Sequence, residues 1–235
     1  MITRYLIAKT VRRVAELYPQ VRSRLGAKAL ALLEAYAVKT YAQYTSYIRM
    51  YVTSLFNKKT GLQEFVESLY LQMQRQLIEA WLMGMKENGL SQFDMTEEWA
   101  NRLNDIINDE AAFILPFGKD IEAAASRGDS IDSLLSRAEA WGLRYKDVQN
   151  EARLLTAGRG VKLIWVMNPD KEHCETCAAL NGIVAFASEW EEAGVKPQSP
   201  PNTYLECGGW RCGCELQPTD RRRSSRAFDR ILEAI

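Results

Sequence analysis

Apolar positions recur in steps of three and four along residues 1–158, the period of helices that bury one face. A first helix is predicted from about Thr3 to Tyr18, closed by Pro19, which cannot continue it comfortably. A second runs from about Gln20 into the fifties, with Leu30, Leu33, Ala37, Tyr41, Tyr44, Ile48, Tyr51 and Leu55 on its inward side. After the break at Asn57-Lys58-Lys59-Thr60-Gly61, Thr60 and Gln63 stand at capping-box spacing. They predict a third helix from near Gly61, through Phe65, Leu69, Met73, Leu77 and Trp81, ending at Asn88 with Gly89 as a left-handed C′ residue. Asp94 and Glu97 repeat the capping spacing ahead of Trp99, Leu103, Ile106 and Ile107, and Leu115-Pro116-Phe117-Gly118 is expected to stop that helix. Asp129, Ser130 and Asp132 open a short helix through Leu134, Leu135 and Ala138 to Trp141, closed by Gly142. A last run extends from Tyr145 through Val148 to Leu155 and ends at Gly158-Arg159-Gly160.

Beyond Gly160 the pattern changes. Val161-Lys162-Leu163-Ile164-Trp165-Val166 is β-branched and aromatic, hence a strand, and Gly182-Ile183-Val184-Ala185-Phe186 is a second. Glu191 to Asn202 reads as a loop, Cys212 to Leu216 as a third short strand ended by Pro218, and Arg221 to Ile235 as a closing helix. The fold class expected is mainly α: a multi-helix region, 1–158, followed by a small α+β, cysteine-rich, zinc-ribbon-like module, 159–220, and a basic C-terminal helix, 221–235.

Composition narrows the possibilities. With 47% apolar residues in 235, a sizeable core is available and global disorder is excluded. The sequence holds no apolar run long enough to span a bilayer, so no membrane partner is expected. Met1-Ile2-Thr3-Arg4-Tyr5-Leu6 lacks the apolar core of a signal peptide, which suggests folding in a reducing cytoplasm. Formal net charge is zero, which argues against a uniformly basic nucleic-acid coat. The charge is nonetheless uneven: residues 1–58 carry ten basic and two acidic side chains, whereas 61–125 carry twelve acids and four bases. Either these segments neutralise each other, or the N-terminal arm, with Arg12, Arg13, Arg22 and Arg24, and the tail, with Arg221, Arg222 and Arg223, meet DNA or an acidic partner. The row Tyr36, Tyr41, Tyr44, Tyr47 and Tyr51 is read as a packed helix face rather than a base-stacking platform.

The strongest chemical signal is the cysteines. All five fall in the last third, as Cys174-Glu175-Thr176-Cys177 and then Cys207 and Cys212-Gly213-Cys214. A C-x-x-C turn aims two sulfurs at one ion, and a second cluster supplies the rest of a tetrahedral zinc site. In a reducing compartment metal is favoured over disulfides, and a module of some sixty residues with little core needs such a staple. The expected ligands are Cys174, Cys177, Cys207 and Cys212, with Cys214 as the alternative fourth. His173 is assigned to the surface or to a supporting position beside the site. A thioredoxin-like role for the C-x-x-C is disfavoured, because the flanks read as strand and loop rather than as a βαβ unit. A histidine-dependent nuclease is disfavoured by the single histidine. No Ser/His/Asp set, phosphate loop or carboxylate pair stands out, so the expectation is a protein that is not an enzyme.

The segment from about 160 to 220 resembles the phage head-morphogenesis family, the Mu F-like minor head proteins. The residues that carry the resemblance are Ile164-Trp165-Val166, Asp170, Cys174-Glu175-Thr176-Cys177, Leu180-Asn181-Gly182, Trp190, Gly194, Pro197, Ser199-Pro200-Pro201-Asn202, Cys207-Gly208-Gly209 and Cys212-Gly213-Cys214. The family's C-x-C ending commonly follows His-Pro-Asn or Cys-Gly-Gly. Here the histidine is absent and Cys207 would stand in for it, one residue further from the C-x-C. Residues 1–158 resemble the family only in being long, helical and placed before the module. The resemblance implies a structural virion protein acting in head morphogenesis, made in the host cytoplasm and located at the portal vertex or inner capsid wall. It implies the portal, major capsid or scaffold protein as partners, with packaged or ejected DNA as a further one. The alternative is a zinc-stabilised DNA-binding protein.

Overall fold

The computed structural model describes residues 27–158, 160–169, 172–198, 201–209 and 212–234. The predicted helix Thr3–Tyr18 and Arg12, Arg13, Arg22 and Arg24 lie outside the described residues. The protein is mainly helical, with a small three-stranded sheet near its C-terminus. Helix α1 spans Ala27–Phe56, α2 Leu62–Glu87, α3 Glu97–Ala111, α4 Ile114–Arg127 and α5 Asp132–Thr156. On α1, Tyr44, Ile48, Val52 and Leu55 are buried and Tyr41 and Tyr51 half-buried, so these tyrosines form a packed face; Tyr47 lies outside it, 41% exposed. The core they join draws Phe65, Leu69, Leu77 and Trp81 from α2, Ile106 and Ile107 from α3, Phe117 and Ile121 from α4, and Ala138, Tyr145 and Val148 from α5.

Helix ends follow local backbone chemistry, and several differ from the sequence expectation. Gly89 is left-handed as predicted (φ 75°), with the Leu90 N–H donating to the Met85 carbonyl at 3.1 Å and the Gly89 N–H to that of Lys86 at 2.9 Å. The start of α2 is not the expected Thr60 box: Gly61 occupies the N-cap without a side-chain cap. Asp94 does not cap α3 either. It accepts from the Ser91 N–H at 2.7 Å and closes a 3-10 turn, Gln92–Asp94, while the Thr96 hydroxyl caps α3 by accepting from the Trp99 N–H at 3.2 Å. Pro116 stops nothing, because it sits in the first turn of α4, where a missing N–H costs no intrahelical bond.

The largest correction concerns Gly142, which does not divide two helices but lies inside the continuous helix α5. A Cβ there would come within 2.4 Å of Thr45 Oγ1, so the glycine serves a close approach of α5 to α1. Gly84 plays the same part between α2 and α5, where a Cβ would stand 2.3 Å from the Gln149 carbonyl oxygen and 2.8 Å from the Arg153 nitrogen. Gly84→Ala gains about 1 kcal/mol in helix propensity. The atoms it strikes are backbone and cannot turn aside, and forced overpacking costs about 1–3 kcal/mol or more. The expected result is a net loss, read as a lower urea midpoint.

The second half of α5 is buried on most sides and carries Asp147, Gln149, Asn150, Glu151 and Arg153 into the interior. Each of these side chains has at least one polar partner, while Gln149 Oε1 and Asn150 Nδ2 are buried without one. Arg144 bridges Glu110 (2.6 Å) and Asp147, Glu151 binds Arg102 at 2.6 Å, and the Gln149 amide donates to Glu87 at 2.5 Å. Such a helix offers no amphipathic stripe, and this explains why its course was the hardest to read from the sequence.

After α5, β1 (Lys162–Val166) is the centre of an antiparallel sheet, with β2 (Val184–Phe186) on one side and β3 (Glu215–Pro218) on the other. Helix α6 (Glu175–Leu180) precedes β2, and α7 (Ala187–Glu192) follows it; neither was expected, and α7 runs two residues into the segment from Glu191 that was expected to be loop. Closing helix α8, Ser225–Ala234, sends Phe228 into the second core, beside Trp165, Trp190, Leu163 and Leu216. Trp190 packs edge-on to Phe228 at 4.7 Å and donates its indole N–H to the Leu163 carbonyl at 3.2 Å. This module is tied to α5 by Leu154, which belongs to its core, and by polar bonds from α5 to β3.

One of those bonds is pH-sensitive. Lys146 donates to Glu215 at 3.0 Å. Burial pushes the Glu215 carboxyl upward, but the Lys146 and Arg153 charges outweigh it and hold the carboxyl below its ordinary range. A depressed carboxyl contributes stability above its unfolded value, about 4, and loses it as pH falls through the folded one. Hydrogen exchange at residues 215–218, corrected for intrinsic rate, should therefore quicken below about pH 4. Lys146→Met should flatten that dependence.

Candidate metal centre

Three chain segments converge beside the sheet. From the end of β1 the chain turns into α6, with Cys174 as its N-cap and Cys177 in its first turn. The Cys174 sulfur accepts from the Cys177 N–H at 3.4 Å, the usual duty of a capping side chain taken by a thiol. A loop then brings in Cys207. It is pinned by Asn202, whose amide donates to the carbonyls of Gly194 (3.2 Å) and Lys196 (3.1 Å). Gly208 and Gly209 are both left-handed, φ 61° and 80°, which lets the Gly209 N–H turn back onto the Cys207 sulfur. Finally Cys212 and Cys214 lead into β3, where the Gln198 amide donates to the Cys214 carbonyl at 2.9 Å.

The first two segments are clasped together by residues next to the cysteines. The Glu206 carboxylate accepts from the Glu175 N–H at 2.9 Å, and the Thr176 hydroxyl accepts from the Glu206 N–H at 3.3 Å. Neither contact had a sequence signal.

All five cysteines are free thiols. Their sulfurs gather as two groups of three that share a corner: Cys174, Cys177 and Cys207 in one, Cys177, Cys212 and Cys214 in the other, each within 4.8 Å of one another. The expected ligands Cys174, Cys177 and Cys207 thus come together, while Cys212 stands with Cys177 and Cys214. Cys177, Cys212 and Cys214 are buried, and Cys174 and Cys207 half-buried. Cys177 and Cys212 are 3.8 Å apart, far beyond a disulfide. That separation matches the edge of a tetrahedron with about 2.3 Å from metal to sulfur, which is about 3.8 Å. The donor set and its spacing suit a metal ion.

His173 is neither remote nor at the surface. Half-buried, it holds Nε2 at 2.6 Å from the Asn168 carbonyl oxygen and Nδ1 at 3.8 Å from the Cys214 sulfur. The buried Trp165 indole N–H has no hydrogen-bond partner. The bond with Cys177 pulls the Cys214 thiol down, but the bond with Cys212 and burial outweigh it and push the thiol up to about 12.

Thiols this close compete for protons. The hydrogen bond to Cys212 pushes Cys177 up, and the same bond holds Cys212 down as the acceptor. Burial, first among its causes, pushes Cys207 up. A bound cation resolves the competition by replacing the shared protons.

The basic residues behave differently. Arg223 donates to Glu189 at 2.8 Å and holds that carboxyl below its ordinary range, so it belongs to the packing of α8 on α7. Arg221 and Arg222 are exposed. No protein-family model matches the chain, and neither a curated protein nor a solved structure is significantly similar to it.

Proposed function

We propose that this chain is a structural, non-enzymatic minor head protein of a tailed bacteriophage. Its cysteine centre holds zinc, and its helical body binds the portal, major capsid or scaffold protein. The observation that carries the reading is the convergence of the motif residues on one buried sulfur. The tryptophan strand, the Cys174–Cys177 turn and the Cys207 and Cys212–Cys214 segments, which resemble the head-morphogenesis pattern, all meet around Cys177. Zinc suits the site because softer thiolate ligands favour it and the sulfur spacing fits its tetrahedron. Its contribution is structural: it fixes the C-terminal module, whose own core is small.

In this reading the chain is made in the host cytoplasm and ends in the virion, at the portal vertex or inner capsid wall. The test is mass spectrometry of procapsids and mature heads produced from a genome that carries this sequence, with and without the gene. The expected result is the chain in both particles at low copy, and malformed or DNA-free heads without it. Normal, infectious heads lacking the chain would refute the proposal. Exposed Arg221 and Arg222 keep a DNA-binding reading in view. It requires duplex binding that weakens steeply with salt and weakens again on changing both arginines to alanine.

A further inference from the structure

We infer that the cysteine centre binds two metal ions bridged by the Cys177 sulfur, one ion on Cys174, Cys177 and Cys207 and the other on Cys177, Cys212 and Cys214. This rests on the reading of the cluster as a metal site. Five cysteines are one too many for a single tetrahedral ion, and a spare thiol would be expected to stand apart. None does. The sulfurs form two triangles with one common corner, and each triangle is a face on which an ion can sit.

Each triangle also carries its own supporting contacts. In the half-exposed one, Cys174 accepts the Cys177 N–H, and Cys207 accepts the Gly209 N–H from a turn that two left-handed glycines make. Backbone N–H groups aimed at sulfur stabilise thiolate ligands. Beside the buried triangle, His173 stands between the Asn168 carbonyl oxygen, 2.6 Å from Nε2, and the Cys214 sulfur, 3.8 Å from Nδ1, so it supports that corner from outside the three sulfurs.

The experiment is a cobalt(II) titration of the metal-free full-length chain, followed by optical and electron paramagnetic resonance spectra. The expected result is two cobalt ions per chain, with the high-spin signal rising over the first equivalent and falling over the second as the shared sulfur couples the spins. Cys214→Ser should lose the second equivalent and keep the first, and Cys207→Ser should do the converse. Saturation at one cobalt, or two that stay magnetically independent, overturns the bridged pair while leaving a metal site in place. No cobalt uptake overturns the metal reading itself.

Discussion

Cys177→Ser is expected to abolish metal binding and unfold the C-terminal module while the helical body stays folded. Cys177 belongs to both sulfur groups and is 1% exposed, so no neighbouring thiol can take its place. A structural zinc site contributes on the order of 10 kcal/mol to a small fold, about the whole stability of an ordinary domain. The helical core contains no cysteine and draws its apolar residues from α1 to α5, so it does not depend on the metal. Far-ultraviolet circular dichroism should therefore keep most of its helical signal. The near-ultraviolet signal from Trp165 and Trp190, whose rings lie 5.7 Å apart, should collapse. Cys214→Ser should be milder, because it removes a corner of one group only. Equal loss in the two variants would show that the shared corner carries no special weight. Treating the wild-type chain with a chelator should reproduce the Cys177→Ser spectrum.

How much of this was legible in the sequence depends on which physical signal was involved. Periodicity located α1, α2 and α3, because Phe65, Leu69, Leu77 and Trp81 repeat along one face and that face is buried. It failed at α5, where buried polar residues erase the stripe and a glycine that serves close packing looks like a stop signal. Capping spacings were ambiguous for a related reason. Ser91, Asp94 and Thr96 are all competent caps, and which one caps α3 depends on whether a 3-10 turn forms first.

At the site, the sequence identified the cysteines and the likelihood of a metal, since residue type and spacing suffice for that. It could not divide the sulfurs into two groups around Cys177, because chain separation carries no information on which side of a shared residue each pair falls. His173 was expected at the surface or in a supporting position beside the site, and the second holds, with Asn168 and Cys214 on either side of it. Short helices α6 and α7 were missed because each is only six residues long, too short to show a period.

Arg153→Leu should cost about 3–5 kcal/mol, the penalty for breaking a buried ion pair. The Arg153 side chain is 4% exposed and reaches in three directions. It pairs with Glu87 at the end of α2, donates to Asn150 Oδ1 at 2.7 Å, and donates to the Leu216 carbonyl on β3. One guanidinium therefore joins the helical body to the sheet that carries the cysteines. Leucine keeps the packing volume but leaves Glu87 with only its bond from Gln149 and strands the Leu216 carbonyl, so loss of hydrogen bonding, not a cavity, sets the cost. Lysine keeps the charge without the planar fork that serves several acceptors at once, and Arg153→Lys should recover only part of the loss. Full recovery by lysine in denaturant titrations would refute the argument from geometry. In a Glu87→Gln background the same Arg153→Leu change should cost less, because the stranded charge is already gone, and the difference measures the coupling of the pair. Whatever cost remains in that background belongs to the bonds with Asn150 and Leu216, the second of which holds the cysteine-rich module against α5.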